Sequence, residues 1–191
     1  TRREDSRSFF FAEEQRMIDD KREIYFDKKE ILDLEHKYCR AIDRRDYSLL
    51  SSLYHPDAKE DHGGMFKGTI SEYLEWLPSM LESMEITMHM VINSLIEVQG
   101  DKAEGEFSIL AYHKTQSEDG PIDILTGGRN LDFFEKKHGI WKFTERHIVL
   151  EFNQIHPSEC DLDLNLFEGV ELGRDKPEDP SYKIFNFFLK Q

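Results

Sequence analysis

Hydrophobic and polar positions change rhythm along this 191-residue chain. From Ile31 the apolar side chains of Leu34, Tyr38, Ala41 and Ile42 recur at helical spacing, which predicts a core helix. Asp27 followed by Glu30 has the spacing of a capping box, so the helix is expected to start there and to end around Asp43 to Asp46. A short second helix, Tyr47 to Tyr54, leads into a turn at His55 to Ala58 (HPDA), and Gly63, Gly64 and Gly68 mark loops around a short strand. Thr69 with Glu72 repeats the capping signature and opens a third helix through Tyr73, Leu74, Leu77 and Leu81, with Pro78 expected to kink or break it. From Ile86 onward the period falls to two, in ITMHMVINSLIEV, AEGEFSILAYHKT, ILTGGRNLDFFEKK and IWKFTERHIVLEF. Gly100-Asp101 and His138-Gly139 supply tight turns, so the second half reads as an antiparallel meander curling around the helices. Helices first and a long antiparallel sheet afterwards define an α+β class.

The flanks have a different texture. Residues 1–26 are charged and punctuated by Phe9, Phe10, Phe11, Ile18, Ile24 and Tyr25, the pattern of an amphipathic arm that docks on the domain or on a neighbouring subunit. Residues 153–191 form an acidic extension with Pro157, Pro177 and Pro180 that finishes in YKIFNFF, an end apolar enough to cover a pocket mouth or a subunit interface. The chain therefore reads as an arm (1–26), one domain (27–152) and an extension (153–191), a size at which a single core needs no staples. With 25 basic and 39 acidic residues the net charge is -14, which argues against nucleic acid and anionic membrane surfaces as partners. Cys39 and Cys160 form no CxxC, so neither a disulfide framework nor a thiolate zinc site is expected. No stretch reaches secretory or membrane-spanning length, and a cytoplasmic location is expected.

Five segments carry a family resemblance: YCRAIDRRD (38–46), LYHPDA (53–58), TMHMVIN (87–93), GGRNLDFFEKKHGIWKF (127–143) and ERHIVLEF (145–152). Together they resemble the SnoaL-like branch of the NTF2-like superfamily, which includes scytalone dehydratase, bile acid 7α-dehydratase and hexachlorocyclohexane dehydrochlorinase. The resemblance implies a cone in which N-terminal helices pack inside a strongly curved sheet. It also implies that Asp43, on the first helix, orients His89 on a facing strand, and that His89 removes a proton while a hydroxyl or halide leaves. An imidazole titrates near neutrality, and a carboxylate on its other nitrogen fixes the tautomer and stabilises the imidazolium. By the same resemblance Tyr38 donates to a substrate oxygen, Arg146 stabilises an enolate or holds a carboxylate or thioester, and His113 stands near a second histidine of scytalone dehydratase. Oligomers are common in the family, and a homotrimer is favoured over a dimer on that ground.

Strand parity extends the candidate site. If a two-residue turn pairs Lys137 with Ile140, residue 129 faces 148 and residue 131 faces 146, so Arg129 and Arg146 share a sheet face. His89 alternates onto the face of Thr87, Val91 and Asn93, which makes Asn93 a pocket neighbour, and Tyr54 and Trp76 complete the expected substrate-binding set. Each assignment has a structural rival. The Asp43–His89 pair could be a core hydrogen bond, Tyr38 ordinary core, and Arg129 a cross-strand partner of Asp132 or Glu135. The run HPDAKEDH (55–62) superficially resembles a metal cluster and reads better as a polar turn and loop. Met80, Met84, Met88 and Met90 suit pliant core or pocket lining.

No P-loop, GxGxxG or zinc spacing is present, so no metal, nucleotide or flavin is expected. The function expected is a cofactor-independent dehydratase acting on a hydrophobic, ring-containing carbonyl compound, steroid-like or polyketide-like. A ketosteroid-isomerase-like proton shift is the second reading. A noncatalytic ligand-binding module, or one like the β subunit of a ring-hydroxylating dioxygenase, is the third.

Overall fold

A computed structural model describes residues 2–163 and 165–187, without the side chains of residues 2–10. Phe9, Phe10 and the end of the YKIFNFF segment therefore lie outside the described side chains. The first helix, α1 (Arg2–Asp43), is followed by α2 (Tyr47–Ser52), β1 (Tyr54–Asp61), β2 (Lys67–Thr69), α3 (Ile70–Glu82), β3 (Met84–Gln99), β4 (Lys102–Ser117), β5 (Gly120–Lys137) and β6 (Ile140–Pro157). A one-turn helix, α4 (Ser181–Ile184), lies in the C-terminal extension. The six strands form one sheet in the order β2-β1-β6-β5-β4-β3, antiparallel except where β1 runs parallel to β6. This is the expected α+β arrangement, with a curved sheet on the helices. Among the described residues no helix is long and apolar enough to cross a membrane.

The core lies between the helices and the inner sheet face. Ile31, Leu34, Tyr38, Ala41 and Ile42 on α1 meet Tyr73, Leu77 and Leu81 on α3, and Phe107, Phe134, Trp141 and Phe143 on the strands. Thr69 caps α3 as its spacing predicts, with a hydrogen bond from Glu72 N to Thr69 Oγ1 of 3.3 Å and one from Thr69 N to Glu72 Oε2 of 2.8 Å. Pro78 does not end the helix, which continues to Glu82.

Three expectations are corrected. Asp27 does not cap a helix, because α1 runs unbroken through it and its buried carboxylate accepts from Trp141 Nε1 (2.8 Å) and pairs with Lys136 Nζ (2.6 Å). No proline or glycine interrupts residues 2–26, so the helix extends through the arm. The described arm side chains do not dock on their own domain: Phe11, Met17, Ile18, Ile24, Tyr25 and Phe26 all stand exposed. The HPDA segment is strand rather than turn. Pro56 fits there because β1 registers with β6 at Tyr54 and again only from Lys59, so no ladder donor is needed at the proline.

The C-terminal extension straps the α1–α2 corner instead of roofing a pocket. Arg45, in the left-handed region with φ 52°, closes α1 by a Schellman pattern: Arg45 N donates to Ile42 O and Asp46 N to Ala41 O. Asp46 then caps α2 by accepting from Leu49 N (3.0 Å). From the extension, Lys176 Nζ and the Tyr182 hydroxyl both reach Asp46 (2.8 Å each), while Asp179 pairs with Arg44 at 3.2 Å. Burial alone would raise the Asp46 carboxyl, but hydrogen bonds from Lys176, Ser48, Leu49 N and Tyr182 outweigh it and hold the group well below the carboxylate range.

Candidate active site

Asp43 is the last residue of α1, where the helix dipole disfavours a negative charge. Two hydrogen bonds from β3 compensate: His89 N donates to Asp43 Oδ2 at 2.9 Å, and His89 Nδ1 lies 2.7 Å from Asp43 Oδ1. The approach of α1 to β3 is fixed beside this pair by Arg45, whose guanidinium donates to Thr87 Oγ1 (2.6 Å), Met84 O (3.0 Å) and Ile42 O (3.1 Å). With Nδ1 on the carboxylate, the second ring nitrogen, Nε2, has no hydrogen-bond partner among the described residues. The imidazole is only 17% exposed.

That ring lines a cavity of about 300 Å3 whose wall includes Tyr38, Tyr73, Trp76, Met80, Met84, Ile109, His113 and Ile148. His113 meets His89 edge-on, with ring centroids 5.2 Å apart. Burial, helped by the neighbouring His89 and Arg45, pushes the His113 imidazole down to about 4, so it is neutral at physiological pH. The Tyr38 hydroxyl lies 3.1 Å from that of Tyr73, and burial together with the nearby Glu60 charge holds it well above the usual tyrosine range. It therefore stays protonated and able to donate.

The structure thus brings His89, Tyr38, His113 and Trp76 together at one cavity, with Asp43 behind His89, and it sets three other candidates, Arg146, Tyr54 and Asn93, away from it. Arg146 is completely buried and holds Asp132 with both Nε (2.7 Å) and Nη2 (2.8 Å) and Glu35 with Nη2, stacked between the rings of Tyr38 (3.9 Å) and Phe143 (4.6 Å). It does not line the cavity. Tyr54 is core, stacked on Phe143 with its hydroxyl donating to Glu60. Asn93 is exposed because β3 carries a bulge at Ile92: Val91 pairs with Ile109 but Asn93 with Ser108, which moves Asn93 to the outer face. Arg129 sits on the face opposite to Arg146, because a bulge at Thr144 shifts β6 by one residue and pairs Asp132, not Leu131, with Arg146. Arg129 is among the residues that line the cavity, but its guanidinium binds Glu106 and Glu151 at 2.7 Å each, rather than Asp132 or Glu135.

Several cavity residues lay outside the expected set. Asn130 lines the wall and donates to Glu35 at 2.7 Å, which joins the cavity to the Arg146 network. Three buried carboxyls, Glu35, Glu60 and Asp132, surround the single cation of Arg146. Burial and the Glu35 and Glu60 charges push Asp132 up to about 8 against the pull of Arg146. His62 also lines the cavity, and its Nε2 lies 2.8 Å from Glu60 Oε2. Alternation of Ala58, Glu60 and His62 was the available signal. Met80 and Met84 line the wall as expected, whereas Met88 is exposed. Among the described residues no group of three or more His, Cys, Asp or Glu is arranged to hold a metal.

Residues 25–147 match the family model described as a SnoaL-like domain. The chain belongs to the SnoaL-like family. Uncharacterized proteins of Mycobacterium bovis and Mycobacterium tuberculosis are 33% identical to it over 79 residues, 40% of this chain, and the chain spans about half (54%) of the length of these curated relatives. Among solved structures, a type 2 hexachlorocyclohexane dehydrochlorinase has a TM-score of 0.66 at 22% identity, covering 74% of this chain and 96% of that one. A putative scytalone dehydratase from Novosphingobium aromaticivorans has 0.62 at 21% (71% and 91%), and a protein from Kribbella flavida 0.63 at 16% (68% and 94%). At these identities the likeness establishes the fold of this SnoaL-like protein and leaves its chemistry to its own residues.

Proposed function

We propose that this SnoaL-like protein is a cofactor-independent lyase that removes water from a hydrophobic, ring-containing carbonyl compound. The observation that carries the reading is the Asp43–His89 dyad: a carboxylate 2.7 Å from Nδ1 and an Nε2 with no hydrogen-bond partner among the described residues, on a ring that lines the cavity. Nε2 takes a proton from the carbon next to the carbonyl, the electrons of that C–H bond pass into the ring system, and Asp43 stabilises the imidazolium. The C–O bond to the hydroxyl then breaks, a C=C bond forms, and the imidazolium returns its proton to the departing hydroxide as water. Neutral His113, beside His89, can donate to the departing oxygen without adding a positive charge that would oppose imidazolium formation. Tyr38 is a second donor for a substrate oxygen. Arg146 acts by holding Glu35 and Asp132, and through them Asn130 and α1, in place.

A cavity of about 300 Å3 is at the lower end of the range for small-molecule sites, which favours a substrate of two or three rings over a full steroid. The test is to incubate the protein with hydroxylated ring ketones and follow loss of one water by mass spectrometry. Turnover by the wild type and none by His89→Ala is the expected result; equal turnover by His89→Ala removes His89 as the base.

A further inference from the structure

His89 is not the sole carboxylate-backed imidazole on this cavity. We propose that Glu60 and His62 form a second dyad that binds the far end of the same ligand, so the ligand is a compact apolar ring body with hydrogen-bonding oxygens at both ends. The Glu60 side chain is completely buried on the inner face of β1, where it accepts from the Tyr54 hydroxyl and contacts His62 Nε2 at 2.8 Å. The His62 ring is held against Tyr73 (centroids 5.0 Å) and within reach of Trp76 (6.4 Å) and Phe66 (6.5 Å), and it lines the cavity with an exposure of 11%. Its Nδ1 has no hydrogen-bond partner among the described residues, as Nε2 of His89 has none.

The sheet order sets the two dyads apart. β1 and β3 are separated by β6, β5 and β4, four strand spacings or roughly 19 Å along the curved sheet. Between them the wall is mostly apolar, with Met80, Leu77, Ile109, Ala111 and Ile148, and is interrupted by Thr126 and Asn130. A buried polar group facing an apolar cavity is satisfied only by a ligand atom or water. A ligand with oxygens at both ends engages both imidazoles. The inference deepens the lyase reading and rests on it only for the part played by the His89 end.

Binding of 4,4′-dihydroxystilbene and 4-hydroxystilbene, long two-ring probes with and without the second oxygen, followed by their fluorescence with the full chain, tests it. The dihydroxy probe should bind about tenfold tighter than the monohydroxy probe, the value of one additional hydrogen bond to an imidazole with a buried carboxylate behind it. This advantage should shrink below about threefold in His62→Phe and likewise in His89→Phe. An advantage that survives unchanged in folded His62→Phe overturns the inference. If that variant does not fold, nitrogen-15 NMR of the unmodified chain decides: the dihydroxy probe must shift the Nδ1 resonance of His62 together with the Nε2 resonance of His89, and a His62 signal that stays put overturns the inference. The two readings fail separately. Loss of the lyase reading would show as absent turnover with the His62-dependent advantage intact, and loss of this inference as turnover with no such advantage.

Discussion

Replacing Arg146 by Met separates a buried structural cation from a substrate contact. The guanidinium is the single cation for Glu35 and Asp132, holds both Asp132 oxygens, and has no exposed surface. Removing one partner of a buried ion pair costs about 3–5 kcal/mol, because the other partner stays buried and uncompensated. For a chain of this size that corresponds to a melting-temperature drop of roughly 6–20 °C. The loss should depend on pH. Without Arg146 the Asp132 carboxyl is raised further, from about 8 in the wild type. A group raised in the folded state loses stability as pH rises from its unfolded value to its folded one, and the wild type stops losing it above about 8 while the variant does not, so Arg146→Met should lose more at about pH 9.5 than at about pH 6.5. Urea denaturation followed by circular dichroism at the two pH values measures this. A loss below about 1 kcal/mol, or one equal at both pH values, would refute the assignment of Arg146 to the interior network.

Other outcomes follow from the same geometry. Asp43→Asn removes the carboxylate that fixes the His89 tautomer and should lower turnover by about a thousandfold or more while 4-hydroxystilbene binding changes little; steady-state kinetics and a binding titration check the two halves. Thr69→Ala breaks the capping box of α3 and should cost about 1 kcal/mol in urea unfolding, with turnover per folded molecule retained. The extension should detach in acid. Burial would raise Asp179, but hydrogen bonds from Ser181 and Arg174 N and the Arg44 charge bring it down to about 2, and Asp46 is also depressed. Stability from such carboxylates is present above their unfolded value near 4 and lost as pH falls towards 2, so hydrogen exchange in 174–185 should rise in that window before the sheet exchanges.

What could be seen in advance, and what could not, has physical reasons. Alternating residues marked β3 to β6, and Gly100-Asp101 and His138-Gly139 marked two of their turns, because those signals are local. The turn at His138-Gly139 does pair Lys137 with Ile140, yet parity fails beyond it. Thr144 and Ile92 are ordinary strand residues with nothing to mark them as bulges, and each reverses the facing of the residues that follow it, on β6 as far as the next bulge at Glu151. That reversal sends Asn93 outward and places Arg129 opposite Arg146. Asp43, His89 and Tyr38 were legible through family resemblance together with helical spacing. Arg146 stood out as a candidate site residue but not as a buried one, since Glu35 lies 111 positions away and only tertiary packing brings it there. Asp27 looked like a helix cap for the same reason: Trp141 and Lys136, which engage it, are distant in sequence. His62 was hidden inside a run that reads as a polar loop.

In the proposed reaction His89, oriented by Asp43, takes a proton from carbon. Incubating a ring ketone with the protein in heavy water and following deuterium uptake at the carbon next to the carbonyl by mass spectrometry tests that step without requiring the right leaving group. Wild-type protein and Thr69→Ala, altered in the capping box of α3, should catalyse uptake, and His89→Ala should not. Uptake by His89→Ala at the wild-type rate would contradict the account.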